Sequence, residues 1–187
     1  MSKGYVCPEC GLDYDSIAPT DTPVAIRSYP RRLKALVAPI DRDQATRPDA
    51  KIRRRPDPHT WSALEYTVHV ADIFDTFADI IRRMRIEDRP AIDFFDPDER
   101  AVEARYNEQD PDDVLRRLQE NAERLAAELD EVAADDWRRT AEFPWGERDL
   151  LTMARNAVHE GHHHLRDVER VLGAVKTISH PASTRDL

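Results

Sequence analysis

His159 and His163 stand four residues apart in residues 150–172, a stretch whose apolar and small positions recur at intervals of three and four: Leu151, Ala154, Val158, Gly161, Leu165, Val168 and Leu172. That is the period of an amphipathic helix with one buried stripe. It puts the two imidazoles one turn apart on one side of the helix, with Cβ atoms roughly 5–6 Å apart. Rings at that separation can converge on one ion at metal–nitrogen distances of about 2.0–2.1 Å. Two further histidines, His162 and His164, lie in the same stretch. A second set of metal-binding side chains opens the chain in Cys7-Pro8-Glu9-Cys10-Gly11, a CxxCG turn that lets two thiolates share an ion. It looks like half of a zinc ribbon. No second CxxC follows, so a closed structural site needs other donors, with Asp13, Asp15 or a histidine from elsewhere as candidates. A plain turn and a redox dithiol compete with this reading, although no βαβ pattern surrounds the cysteines.

A third candidate ligand sits on another helix. Ser62 and Glu65 form a capping-box pattern, and Trp61, Leu64, Val68, Ile73, Phe77, Ile80, Ile81 and Met84 mark the inward surface of a helix running to about residue 85. His69 stands on that apolar side, with Glu65 one turn before and Asp72 nearly one turn after as carboxylates that could orient it. By itself, a histidine there is more often a core residue than a ligand. The remaining helices are expected over residues 24–37, where Pro30 predicts a kink or a late start, and from Asp110-Pro111, a cap followed by proline at the first helical position, to about residue 130. Gly173 is expected to end the last helix. Residues 39–60 and 86–109 read as long connections, the first carrying Arg53-Arg54-Arg55 as a solvated face or an anion clamp, the second carrying Phe94 and Phe95 as a cover for a pocket.

Four long amphipathic segments joined this way describe an all-α four-helix bundle over residues 23–175. A CxxC knuckle and linker precede it over 1–22, and a flexible tail containing His180 follows over 176–187. The net charge of −9 argues against nucleic acid or anionic membranes as partners. No apolar run approaches the roughly 20 residues of a membrane span, and residues 1–5 lack the apolar core of a signal peptide, so a cytoplasmic location is expected. A homodimer is one assembly the sequence allows. Two cysteines in all rule out a disulfide framework.

In such a bundle, facing helices lie about 8–10 Å apart. His69, His159 and His163 would then form a three-histidine divalent site with an open fourth position, the catalytic arrangement. Trp61-Ser62-x-x-Glu65-x-x-x-His69-x-x-Asp72 together with His159-Glu160-x-x-His163-His164 resembles the DinB-like superfamily, which includes mycothiol-dependent maleylpyruvate isomerases and thiol S-transferases. The resemblance covers roughly residues 24–172 and implies an up-down-down-up bundle whose metal ligands are His69, His159 and His163. It also implies a divalent metal (zinc first, nickel or iron as alternatives), mycothiol or a similar low-molecular-weight thiol as co-substrate, and a small electrophile as substrate. His162 departs from many members; an alternative ligand, a group beside the ligands and a surface residue are its three readings. His164 is expected to point away from His159 and to be structural or exposed. Hydrolysis by metal-activated water, a non-catalytic metal- or ligand-binding stress protein, and a knuckle that binds a macromolecule are the rival functions.

Overall fold

The computed structural model of the chain describes residues 5–38 and 50–178. Among the described residues, five α-helices follow in order: α1 (Thr22–Val37), α2 (Ala63–Ile86), the short α3 (Pro97–Glu103), α4 (Pro111–Asp130) and α5 (Leu150–Ile178). A two-residue antiparallel pair, β1 (Thr140–Ala141) with β2 (Arg148–Asp149), leads into α5. The helix starts follow local chemistry. Ser62 accepts from the Glu65 amide at 3.2 Å while the Glu65 carboxylate accepts from the Ser62 amide at 2.8 Å, so α2 opens on a closed capping box. Asp110 accepts from the amides of Asp112 and Asp113 ahead of Pro111.

Three features differ from the expected elements. The same Asp-Pro device recurs at Asp96-Pro97 and starts α3 inside the connection read as irregular. α1 makes no late start at Pro30: it begins at Thr22, a start the sequence allows at Asp21 or Thr22, and carries Pro30 in its interior. Ile26, Tyr29, Pro30 and Leu33 are all buried there, and burial at about 1.5–3 kcal/mol per large apolar side chain outweighs the roughly 3 kcal/mol cost of an internal proline. α5 runs through Gly173, which keeps a negative φ, to Ile178. Of the expected tail, residues 179–187 (including His180) lie outside the described residues, as do residues 39–49 of the first connection.

α1 and α2 each pack against both α4 and α5, and touch one another little. The chain is an up-down-down-up four-helix bundle with α1 and α2 on one diagonal. Its core runs from Ile26 and Leu33 through Phe74, Ile81 and Met84 to Leu118, Leu125 and Met153. The start of α2 is tied to the connection before α4. The buried Arg53 guanidinium donates to the carbonyls of Asn107 (2.5 Å) and Gln109 (3.1 Å), and the Ser62 hydroxyl donates to Asn107 Oδ1 at 2.8 Å. Arg55 pairs with Glu65. These arginines anchor a strap; they do not form an anion clamp.

α5 approaches α1 closely at Gly161. A Cβ there would lie 2.4 Å from the Tyr29 ring of α1, whose hydroxyl donates to the Val158 carbonyl at 3.0 Å. Gly161→Ala would gain about 1 kcal/mol of helix propensity but force a buried ring aside at about 1–3 kcal/mol. We expect a net loss of stability and a lower melting temperature by calorimetry; a rise would mean that Tyr29 yields freely.

Candidate metal centre

At about 100° per residue, positions 160 and 164 of α5 lie within about 100° of Gly161, whereas 159 and 163 lie nearly opposite it. Because Gly161 faces α1, the first pair turns toward α2 and the second turns outward. The central histidines therefore divide into two clusters.

The inner cluster joins His69 of α2 to Glu160 and His164 of α5, with one donor atom from each within 4.8 Å of the others. His69 Nε2 lies 3.4 Å and His164 Nε2 3.2 Å from the same Glu160 oxygen, Oε2. The two rings stand nearly perpendicular, 4.8 Å between centroids. Asp167, one turn on, accepts from His164 Nδ1 at 2.8 Å and is itself held by Arg170 at 2.5 Å. Trp61 packs on His69 and Tyr66 stacks on His164, each with centroids 5.3 Å apart. His69 and Asp167 are buried, while the Glu160 side chain stays 26% exposed, so the cluster opens to solvent on that side. Burial alone would raise Glu160, but hydrogen bonds from His164 and His69 win and hold it well below the usual carboxylate range.

The outer cluster joins His159 and His163 to Cys7 and Cys10, again with donor atoms within 4.8 Å. His163 Nδ1 lies 3.6 Å from Cys7 Sγ. The N-terminal segment lies along the outward face of α5. Tyr14 packs on the His159 ring at 5.4 Å, Arg155 Nε donates to the Ile17 carbonyl at 3.1 Å, and His162 Nε2 meets the Cys10 carbonyl at 3.3 Å. Burial lowers both His159 and His162. At Cys7, burial raises the thiol, but the backbone amides of Cys10 and Glu9, then His163, outweigh it and bring it to about 7.

Of the three histidines expected to meet around one ion, the structure brings His159 and His163 together and places His69 with Glu160 and His164. The residues beside the site also differ. The Glu65 carboxylate serves its own helix cap and Arg55, and Asp72 accepts from the Tyr106 hydroxyl at 2.9 Å and from Arg100 at 3.1 Å. His162 contacts the knuckle, and His164, expected to be structural or exposed, stands inside the inner cluster. Asp13 caps the turn at Asp15, and Asp15 faces Arg155. Phe94 and Phe95 border a groove on α2 with Asp72, Thr76 and Arg100, away from the histidines. Glu160, His164 and Asp167 were missed by the sequence reading. The signal available was that 160/164 is also an i, i+4 pair and lies nearer the buried stripe than 159/163 does.

Among the described residues, no helix is long and apolar enough to cross a membrane. No curated protein sequence matches the chain. YfiT from Bacillus subtilis, described as "a probable metal-dependent hydrolase with an unusual four-helix bundle topology", is 20% identical with a TM-score of 0.71, over 84% of this chain and 89% of that one. A mycothiol-dependent maleylpyruvate isomerase is 13% identical with a TM-score of 0.61, over 83% of this chain and 62% of that one. At these identities the likeness is one of fold. The family model of the DinB superfamily matches residues 25–168, a span that reaches into all four bundle helices and includes His69, Glu160 and His164, and the chain belongs to that superfamily.

Proposed function

We propose that this chain is a divalent-metal-dependent enzyme that holds its ion with His69, Glu160 and His164 and activates a low-molecular-weight thiol of the mycothiol kind. The thiol would attack a small electrophile, in S-transfer or thiol-assisted isomerisation. The observation that carries this reading is the convergence of two imidazoles and one carboxylate from α2 and α5 beside solvent. Two histidines and a glutamate are a donor set of catalytic zinc sites, which keep a position open; nickel and iron accept similar ligands. An ion bound there supplies a positive charge that lowers the pKa of a sulfhydryl or of water.

The protein's own groups prepare the site. Asp167 accepts the His164 Nδ1 proton, which leaves Nε2 as the ligating nitrogen and fixes the ring. Trp61 and Tyr66 exclude water from the ring faces. A thiol, with an ordinary pKa near 8.5, needs little beyond a nearby charge to ionise. Water, at about 15.7, benefits from a separate general base as well. The neighbouring carboxylates of Glu65, Asp72 and Asp167 are each engaged elsewhere, which favours the thiol. Hydrolysis is the second reading, favoured by the His-His-Glu donor set, which zinc hydrolases share.

In the metal-free protein, burial disfavours the charged His164 ring, but hydrogen bonds to Asp167 and Glu160 outweigh it and push it up to about 9. The folded value lies above the ordinary 6.5. Its stabilisation is therefore full below about 6.5 and lost as pH rises through about 9. Thermal melts of metal-stripped protein should fall across that window, and His164→Gln should flatten the slope; a melting temperature level from pH 6.5 to 9 would contradict the assignment.

Asp167→Asn is expected to weaken metal affinity by about 10–100-fold, read by competition with a chelator. His69→Ala and Glu160→Gln should abolish thiol consumption with a chlorinated aromatic electrophile. Activated-ester hydrolysis without thiol would select the second reading, and no turnover by metal-replete protein in either assay would leave a binding protein.

A further inference from the structure

We infer that Cys7, Cys10, His159 and His163 form a second, structural Cys2His2 zinc site that pins the N-terminal segment to the outer face of α5. This is independent of the reading of the His69 centre, and it assigns to His159 and His163 an ion of their own.

The knuckle is already shaped for metal. Val6 bridges to Asp13, Gly11 N donates to the Cys7 carbonyl at 2.9 Å, and Gly11 takes φ +74°, which its missing side chain permits. The amides of Glu9 and Cys10 point at the Cys7 sulfur, and that of Leu12 points at the Cys10 sulfur. Such donors stabilise thiolates. The histidines complete the set with one nitrogen each. His163 turns Nδ1 to Cys7 Sγ and Nε2 to Glu9 (3.3 Å) and Asp167 (3.6 Å), so carboxylates orient the ring from its far side. His159 Nδ1 lies 3.9 Å from Glu160 Oε1, and its Nε2 is buried with no hydrogen-bond partner. An orphaned buried nitrogen costs about 1–3 kcal/mol, and an ion would fill that vacancy in its bonding.

All four donor atoms lie within 4.8 Å of one another; tetrahedral zinc draws such atoms to about 3.3–3.8 Å apart. The required contraction is small. Two thiolates and two neutral imidazoles neutralise the ion and leave it no open position, the signature of a structural site. The segment also needs such a clip. Residues 5–17 bury only Cys7, Tyr14 and Ile17, all by docking, and a piece that short has no core of its own.

The test uses the full chain kept reduced with a thiol-free phosphine, freed of small thiols and loaded with zinc or cobalt. Cobalt-loaded protein should show a sulfur-to-cobalt charge-transfer band, which the sulfur-free His69 centre cannot produce. Cys7→Ser/Cys10→Ser and His159→Gln should each lose one zinc equivalent by mass spectrometry and lose the band, while His69→Ala keeps the band. If those variants fold poorly, His163→Cys supplies the check: it should retain zinc and intensify the band. Absence of the band in wild-type cobalt protein, unchanged zinc content in the Cys7/Cys10 and His159 variants, or recovery of Cys7 and Cys10 as a disulfide with zinc content unaffected would each overturn the assignment.

Discussion

The contact between Gly161 and the Tyr29 ring sets the rotation of α5 about its own axis, and the chemistry of the molecule follows from that rotation. A side chain at 161 would push the helix off α1 or turn it. With hydrogen there, α5 seats against α1, the Tyr29 hydroxyl reaches the Val158 carbonyl, and Val158, Leu165 and Val168 enter the core. Glu160 and His164 then face α2, where His69 stands. His159 and His163 face outward, where the N-terminal segment covers them. A turn of one residue, about 100°, would bring 159/163 to face α2 and swing 160/164 toward α1.

Within the inner cluster, charge is balanced before any ion arrives. Glu160 and Asp167 flank His164, so the buried ring carries a proton between two carboxylates. A divalent ion at this site would displace that proton and leave one more positive charge between the same two carboxylates. The carboxylate behind His164 survives the exchange, because it bonds the nitrogen that does not face Glu160.

The outer cluster lies close enough to influence the inner one. Tyr14 of the N-terminal segment packs on His159, and burial followed by the charge of Glu160 pushes its phenol well above the ordinary value, so it stays neutral. His163 approaches Asp167 at 3.6 Å, the same carboxylate that orients His164. Two candidate metal-binding sets thus share a stretch of α5 less than two turns long, separated by which side of the helix each faces.

Much of this was legible in the residues themselves. Helical periodicity, the Ser62–Glu65 capping box and Asp110-Pro111 are local signals, and local chemistry sufficed to place α2, α4 and the start of α5. The superfamily could be read from the same stretches. Asp96-Pro97 carried an identical signal for α3 inside the stretch read as a long connection. Pro30 and Gly173 misled, since propensity costs of a few kcal/mol or less yield to burial and to continued helical hydrogen bonding. The sequence by itself determined that histidines and carboxylates would crowd one turn of α5, and that a thiolate pair would need donors from elsewhere. Which histidine meets which partner was decided only by tertiary structure. Residues four apart are equivalent in a linear pattern, and the rotation that distinguishes 159/163 from 160/164 comes from packing against a tyrosine far away in the chain.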